Sequence, residues 1–211
     1  CFILLLTTLL ISANGYAQTA WQNQISDKIR FGKVSLFKDK FIAIENNKIN
    51  VSSDGGSNWQ RAQTPSMNNI GIFFENIVVT SNKVLVFGYD LQSQKLSSDD
   101  GETWQIPQSP INNYQHVTSD GDRFYATSFN GEIFSSDDLE QWSLVSNLKT
   151  AIDYDDNNSF VTGIKYSNSS FAIIIQNYSE NSLKAYTTSD WTNFTTITLP
   201  ENFYQFDYLR K

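Results

Sequence analysis

An all-β chain built from repeated four-stranded antiparallel units is the fold this sequence predicts. Three observations carry it. A Ser/Asp/Trp octapeptide recurs along the chain. Short runs rich in β-branched and aromatic residues precede each copy at similar distances. The composition, 40% hydrophobic and 14% aromatic with 18% charged residues over 211 positions, supplies a sizeable core and is too poorly charged for a disordered acidic chain.

The octapeptides come first. Ser52-Ser53-Asp54-Gly55-Gly56-Ser57-Asn58-Trp59, Ser97-Ser98-Asp99-Asp100-Gly101-Glu102-Thr103-Trp104 and Ser135-Ser136-Asp137-Asp138-Leu139-Glu140-Gln141-Trp142 align directly. A worn fourth copy runs from Thr187 to Phe194. The closing aromatics Trp59, Trp104, Trp142 and Phe194 are 45, 38 and 52 residues apart. Upstream of the copies lie strand-like runs, called A, B and C here. Strand A includes Lys33–Phe37, Ile77–Thr80, His116–Thr118 and Val161–Ile164. Strand B includes Phe41–Ile44, Val84–Phe87, Phe124–Thr127 and Phe171–Ile175. Strand C includes Lys48–Val51, Glu132–Phe134 and Leu183–Tyr186, and a short strand D follows each Trp. Turn-forming Gly, Asn, Asp and Ser bound the runs. Four strands per roughly 40–45 residues is the period of a β-propeller blade.

The octapeptide resembles the Asp-box, or BNR repeat, Ser-x-Asp-x-Gly-x-Thr-Trp. Ser97, Asp99, Gly101, Thr103 and Trp104 match every position. Ser52, Asp54, Gly56 and Trp59 lack only the Thr, and Ser135, Asp137 and Trp142 survive around a Leu139 in place of the Gly. The resemblance spans residues 19–211. It implies a propeller in which each box is the turn between strands C and D, with roles that are structural. A turn carboxylate accepts backbone N–H groups, Gly supplies a positive φ, and Trp buries a large ring between sheets. Because Asp54, Asp99 and Asp137 recur once per blade, they are read as scaffold and not as a catalytic group. The blades are expected at 27–64, 65–109, 110–147 and 148–200. Thr19–Ser26 resembles the strand D sequences and is read, within 18–26, as a lone closing strand. Asn202–Asp207 echoes Asn112–Val117, so 201–211 is read as the start of a further blade.

Residues 1–17 read as a targeting segment. Phe2–Ile11 is an apolar run of ten, short of the roughly 20 residues a spanning helix needs. Small residues Gly15 and Ala17 suit a cleavage site before Gln18. The initiator Met and basic n-region are missing, which suggests truncation at the start. The localisation expected is secreted, periplasmic or cell-surface, with no membrane span after cleavage.

Charge and composition narrow the function. A net charge of −7 excludes the basic footprint of a nucleic-acid binder. One Cys and one His exclude an intrachain disulfide, a thiolate zinc site and any paired-histidine motif. Asp153, Asp155 and Asn157 imitate the start of an EF-hand loop, but Asn158 replaces its Gly and Ile164 its final Glu. No metal and no cofactor are expected. His116 is read as a channel-lining residue of strand A.

In propellers the D–A and B–C loops share the face opposite the C–D turns. On this chain they contain Tyr89, Asp90, Asn112, Tyr114, Phe129, Asn130 and Tyr178, aromatics and amides suited to stacking on and hydrogen bonding to a glycan, peptide or protein ligand. The resemblance also admits a sialidase-like hydrolase, which needs three arginines around a substrate carboxylate. With Arg30, Arg61, Arg123 and Arg210 the only arginines, and Arg61 and Arg123 placed on strand D and the C–D-turn face, no triad assembles from this stretch. The reading favoured is a non-enzymatic binding or scaffold module, and the alternative is a hydrolase whose catalytic residues lie in further blades.

Overall fold

The computed structural model describes residues 32–45, 48–65, 74–88, 95–108, 114–152, 154–155 and 157–199. The expected targeting segment, the closing strand at 18–26, the segment 201–211, Arg30, Arg210, Tyr89, Asp90 and Asn112 lie outside these residues, as does the side chain of Tyr114.

Four antiparallel meanders follow one another. The first runs β1 (Lys33–Phe37), β2 (Lys40–Glu45), β3 (Lys48–Ser52) and β4 (Gln60–Arg61). The second is β5 (Phe74–Val79), β6 (Val84–Gly88) and β7 (Lys95–Ser98). Its fourth strand is reduced to one antiparallel bridge, in which Ser97 and Gln105 exchange N–H···O bonds of 2.8 and 2.9 Å. The third is β8 (Tyr114–Ser119), β9 (Phe124–Ser128), β10 (Glu132–Ser136) and β11 (Ser143–Asn147), and a single-turn helix, α1 (Leu148–Ala151), follows it. The fourth is β12 (Ser159–Ser167), β13 (Ser170–Asn177), β14 (Ser182–Thr188) and β15 (Thr195–Ile197). In the first and fourth sheets the outermost strand is the shortest, with two and three residues, which limits the exposed edge.

The first strands stand side by side: β1 beside β5, β5 beside β8, and β8 beside β12. Polar side chains stitch them. Lys33 Nζ donates to Asn76 Oδ1, and Ser119 Oγ donates to the Val79 carbonyl. Tyr166 N donates to Thr118 Oγ1 at 3.3 Å. His116 Nε2 lies 3.0 Å from the Val161 carbonyl, and since a carbonyl only accepts, that nitrogen carries the proton. Burial holds the His116 pKa below its usual value, against the pull of this bond, so the ring is neutral at pH 7. His116 thus ties two inner strands, β8 and β12, together. The inner strands of the last three sheets share a feature the sequence does not display. Each carries a β-bulge near its start, at Phe74/Asn76, Tyr114/His116 and Val161/Gly163.

The core is three seams between sheets. Alternation along each strand sends successive side chains to opposite neighbours. Val84 and Val86 of β6 pack with Phe37, Ile42 and Ile44 of the first sheet, whereas Leu85 and Phe87 pack with Phe124, Ala126 and Leu139 of the third. Tyr125 and Ile133 turn the other way, onto Phe171, Ile173 and Trp191 of the fourth. Every residue of β6 and of β9 is buried, as expected of a middle strand covered on both faces.

The C–D turns hold a position with positive φ: Gly56 at 89°, Gly101 at 78°, Leu139 at 69° and Trp191 at 62°. From the second turn onward its side chain faces the preceding sheet. At Gly101 a Cβ would stand 3.2 Å from Ile42 Cδ1 and 3.4 Å from Phe37 Cδ1, tighter than ordinary contact and at a φ that favours glycine. Leu139 fills the matching space against Leu85 and Phe87. Trp191 fills the next, 5.4 Å from the Tyr125 ring and 4.2 Å from that of Phe171. The Leu that breaks the repeat in sequence is therefore the residue that closes its seam.

Candidate functional site

The C–D turns come first, because their carboxylates are the residues most easily mistaken for chemistry. In the first turn Asp54 Oδ1 accepts from Asn58 N at 2.8 Å and from Ser52 Oγ at 2.8 Å, and Gly56 N donates to Ser52 Oγ. In the second the same work is done one residue later than the motif alignment places it. Asp100, not Asp99, accepts from Thr103 N and Glu102 N at 2.7 Å, and Ser98, not Ser97, takes the N–H of Gly101. The third turn repeats the correction: Asp138 accepts from Gln141 N and Glu140 N, and Ser136 accepts from Leu139 N. In the fourth, Asp190 accepts from Asn193 N and Thr192 N. Two adjacent aspartates made the register ambiguous in sequence. The tighter turn selects the second, because its oxygen lies within reach of N–H groups two and three residues on.

The displaced residues take other parts. Asp99 pairs with Lys83 and Asp137 with Arg123, each at 2.5 Å, so each turn is tied to the A–B hairpin of its own sheet. The Oγ atoms of Ser97 and Ser135 are buried without a partner. Of the tryptophans that close the first three boxes, Trp104 is buried; Trp59 and Trp142 are half-buried, and their indole N–H groups donate to the carbonyls of Gly56 and Leu139. Backbone N–H groups of Thr103 and Glu102 hold the Asp100 carboxyl far below the usual carboxylate range, those of Asn193 and Thr192 do so for Asp190, and Asn58 lowers Asp54 to about 2. These groups are spent on turn structure.

The opposite end of the third and fourth sheets is built differently. After β9 the chain turns through Phe129, Asn130 and Gly131, and after β13 through Tyr178 to Asn181. Phe129 is 56% exposed and Tyr178 69%, and Asn130 is exposed. The link from β11 to β12 joins the two turns. Asn147 caps α1, its Oδ1 accepting from Lys149 N at 3.0 Å, and buried Leu148 donates its N–H to the Gly131 carbonyl. Tyr154 is buried against Gly131, where a Cβ would come within 2.7 Å of its ring; its hydroxyl donates to the Ser159 carbonyl at 2.8 Å and approaches that of Phe129 at 3.3 Å. Asp155 gathers Asn157 N and Asn158 Nδ2. The Asn158 carbonyl then accepts from Tyr178 N at 2.7 Å. Tyr178 lies on Phe160, with ring centroids 4.7 Å apart and planes 21° apart.

Thus, of the ligand-binding residues expected from sequence, Phe129, Asn130 and Tyr178 reach the surface at one end of adjoining sheets. Tyr154, Phe160 and Asp155, which organise that end, were not expected. Tyr154 and Asp155 lie in the expected D–A loop, and the signal available was the adjacency of aromatic and turn residues from 154 to 160. Also unforeseen is a polar groove of about 560 Å³ between β4 and the second C–D turn, walled by Asp54, Asn58, Arg61, Gln63 and Thr103. Arg61 faces this groove and Arg123 is paired with Asp137, so the two described arginines do not meet. Among the described residues no group of three His, Cys, Asp or Glu side chains is placed to hold a metal ion, and no helix is long and apolar enough to cross a membrane.

Four antiparallel meanders with adjacent first strands and side chains interleaved between sheets define a β-propeller, and the C–D turns are consistent with the Asp-box type. Solved structures share the fold. YCF48 from Cyanidioschyzon merolae superposes with a TM-score of 0.54 at 14% identity, covering 80% of this chain and 56% of its own. YCF48 bound to D1 peptide gives 0.51 at 16% identity, over 79% of this chain and 52% of that one. An ancestral GH74 enzyme gives 0.53 at 15% identity, over 80% and 25%. The chain thus spans about half the length of the YCF48 structures it resembles. No protein-family description and no curated protein matches the sequence.

Proposed function

We propose that this chain is part of a secreted propeller that binds an extended peptide or protein segment without performing chemistry on it. The supporting observation is the end of the third and fourth sheets, where Phe129 and Tyr178 stand exposed on turns braced by buried Tyr154. Exposed aromatics on a rigid frame lose little entropy on binding and supply most of the energy of a typical contact. The carboxylates at the other end are saturated by their own backbone. The peptide-bound YCF48 propeller is a precedent on the same fold.

The test is selection of peptides from a displayed library on the purified chain, in parallel with a glycan array and a fluorogenic sialoside. Peptides that bind saturably and lose at least tenfold affinity to the Phe129→Ala/Tyr178→Ala double variant are expected. Selected ligands indifferent to that variant would refute the site, and sialoside turnover would refute the non-enzymatic reading.

A further inference from the structure

We infer that the Tyr178 end of this face is a seat for a cationic side chain, so that the segment it takes is basic. The inference rests on the peptide-binding reading and adds the chemistry of the ligand. Tyr178 is the most exposed of the large hydrophobic side chains among the described residues, and Phe160 already covers one face of its ring. The stack fixes the ring and leaves the second face to solvent. Each of the two turns that meet at Tyr178 carries a carboxylate. Asp155 belongs to the loop whose Asn158 carbonyl holds Tyr178 N, and Glu180 lies two residues beyond, its backbone N bonded to Asn177 Oδ1. The side chain of Asn158, then the N–H of Asn157, keep the Asp155 carboxyl below its ordinary pKa; Ser182 and Lys184 do the same for Glu180. Both are ionised at neutral pH.

An exposed aromatic ring at the junction of two turns that each carry an ionised carboxylate attracts a guanidinium or ammonium group through the ring quadrupole and through charge at the range of a turn. It offers no comparable attraction to an acidic segment. The chain's net charge of −7 acts in the same direction at longer range. An internal competitor is present: Lys184 Nζ lies 3.3 Å from Glu180 Oε2, an exposed pair that an incoming cation displaces at little cost.

The experiment uses two synthetic peptides of the same Gly/Ser/Pro background, one bearing four spaced arginines and the other citrulline at the same places, titrated calorimetrically into the chain at low and physiological salt. The arginine peptide is expected to bind about 3- to 30-fold more tightly than the citrulline peptide. Tyr178→Ala should erase that preference, Tyr178→Phe should keep it, and Lys184→Gln should strengthen it. Tyr178→Ala gives up the stack on half-buried Phe160 and is expected to lower the denaturation midpoint only slightly, so a folded variant without the arginine preference separates loss of the seat from loss of fold. Equal binding of the two peptides, no binding of either, or an arginine preference that survives Tyr178→Ala would each overturn the inference. Neutral library peptides that need Tyr178 but ignore the citrulline exchange would overturn it while leaving the peptide-binding reading intact. A sugar displaced by Tyr178→Ala would overturn both.

Discussion

Asp99 and Asp100 are neighbours of the same type in the same turn, yet they do different work. Asp100 collects two backbone N–H groups and the Ser98 hydroxyl, whereas Asp99 reaches out to Lys83. Loss of a capping carboxylate of this kind costs about 1 kcal/mol, and loss of an ion pair whose carboxylate is exposed, as that of Asp99 is, costs about 0–1 kcal/mol. Asp100→Ala is therefore expected to lower the urea midpoint clearly more than Asp99→Ala, and the reverse order would show that the register drawn from the hydrogen bonds is wrong. The same carboxylates set the acid limit. Asp54, Asp100, Asp138 and Asp190 all have folded pKa values below the unfolded value of about 3.9. A depressed carboxylate contributes stability that is present above its unfolded pKa and lost as pH falls through the folded one. Unfolding midpoints should thus be flat from pH 7 to about 5 and fall below about 4, with Asp54 protonating near 2. In Asp100→Asn the slope of midpoint against pH below 4 should be shallower; an unchanged slope would remove this aspartate from the acid transition.

At the scale of the element, the positive-φ position of the C–D turn is where repeat and packing meet. Gly101 has Phe37 and Ile42 against it, Leu139 occupies its seam, and Trp191 occupies the next. The same exchange should therefore be harmful in both directions. Gly101→Leu forces a side chain into filled space, and Leu139→Gly empties a filled one, for about 1–3 kcal/mol in each case after allowing for backbone strain at positive φ. Chemical denaturation of the two variants checks this; a neutral Gly101→Leu would mean the first seam has room that the contacts deny. The recurrent bulge in β5, β8 and β12 belongs to this scale as well. It lies at the end of each inner strand nearest the candidate face, and a bulge there re-aims the strand as it leaves that face.

For the molecule as a whole, the consequence of seam-by-seam packing is independence. Each sheet buries its faces only against its neighbours, so stability approximates a sum of local terms. Trp104 is 4% exposed in the seam of the first two sheets, and Trp191 is 8% exposed in the seam of the last two. Replacing either by Ala should cost about 3–5 kcal/mol. Because they share no partner, the double variant should cost the sum of the two within about 0.5 kcal/mol. A cost for Trp104→Ala below about 1 kcal/mol would contradict its burial, and strong non-additivity would contradict the independence of the seams.

What was legible in sequence follows from local physics. Strand runs, turn composition and the returning octapeptide depend on periods of two and on residues with special backbone needs, and both are written along the chain. They placed the strands of the first, third and fourth sheets and the first two of the second, located Arg123 in the A–B hairpin, and set Phe129, Asn130 and Tyr178 on B–C turns. What tertiary structure alone decided are the choices among local equals. Asp99 and Asp100 are equivalent until the turn closes around one of them. Leu139 looks like damage to the motif until Leu85 and Phe87 are seen against it. Tyr178 is one aromatic among many until Phe160, eighteen positions earlier, covers one side of its ring and leaves the other in water. Each depends on a distance between groups far apart in sequence or on the curvature of a turn. Neither is fixed by residue type alone, because the same side chains satisfy several local arrangements and only the packed sheets select one.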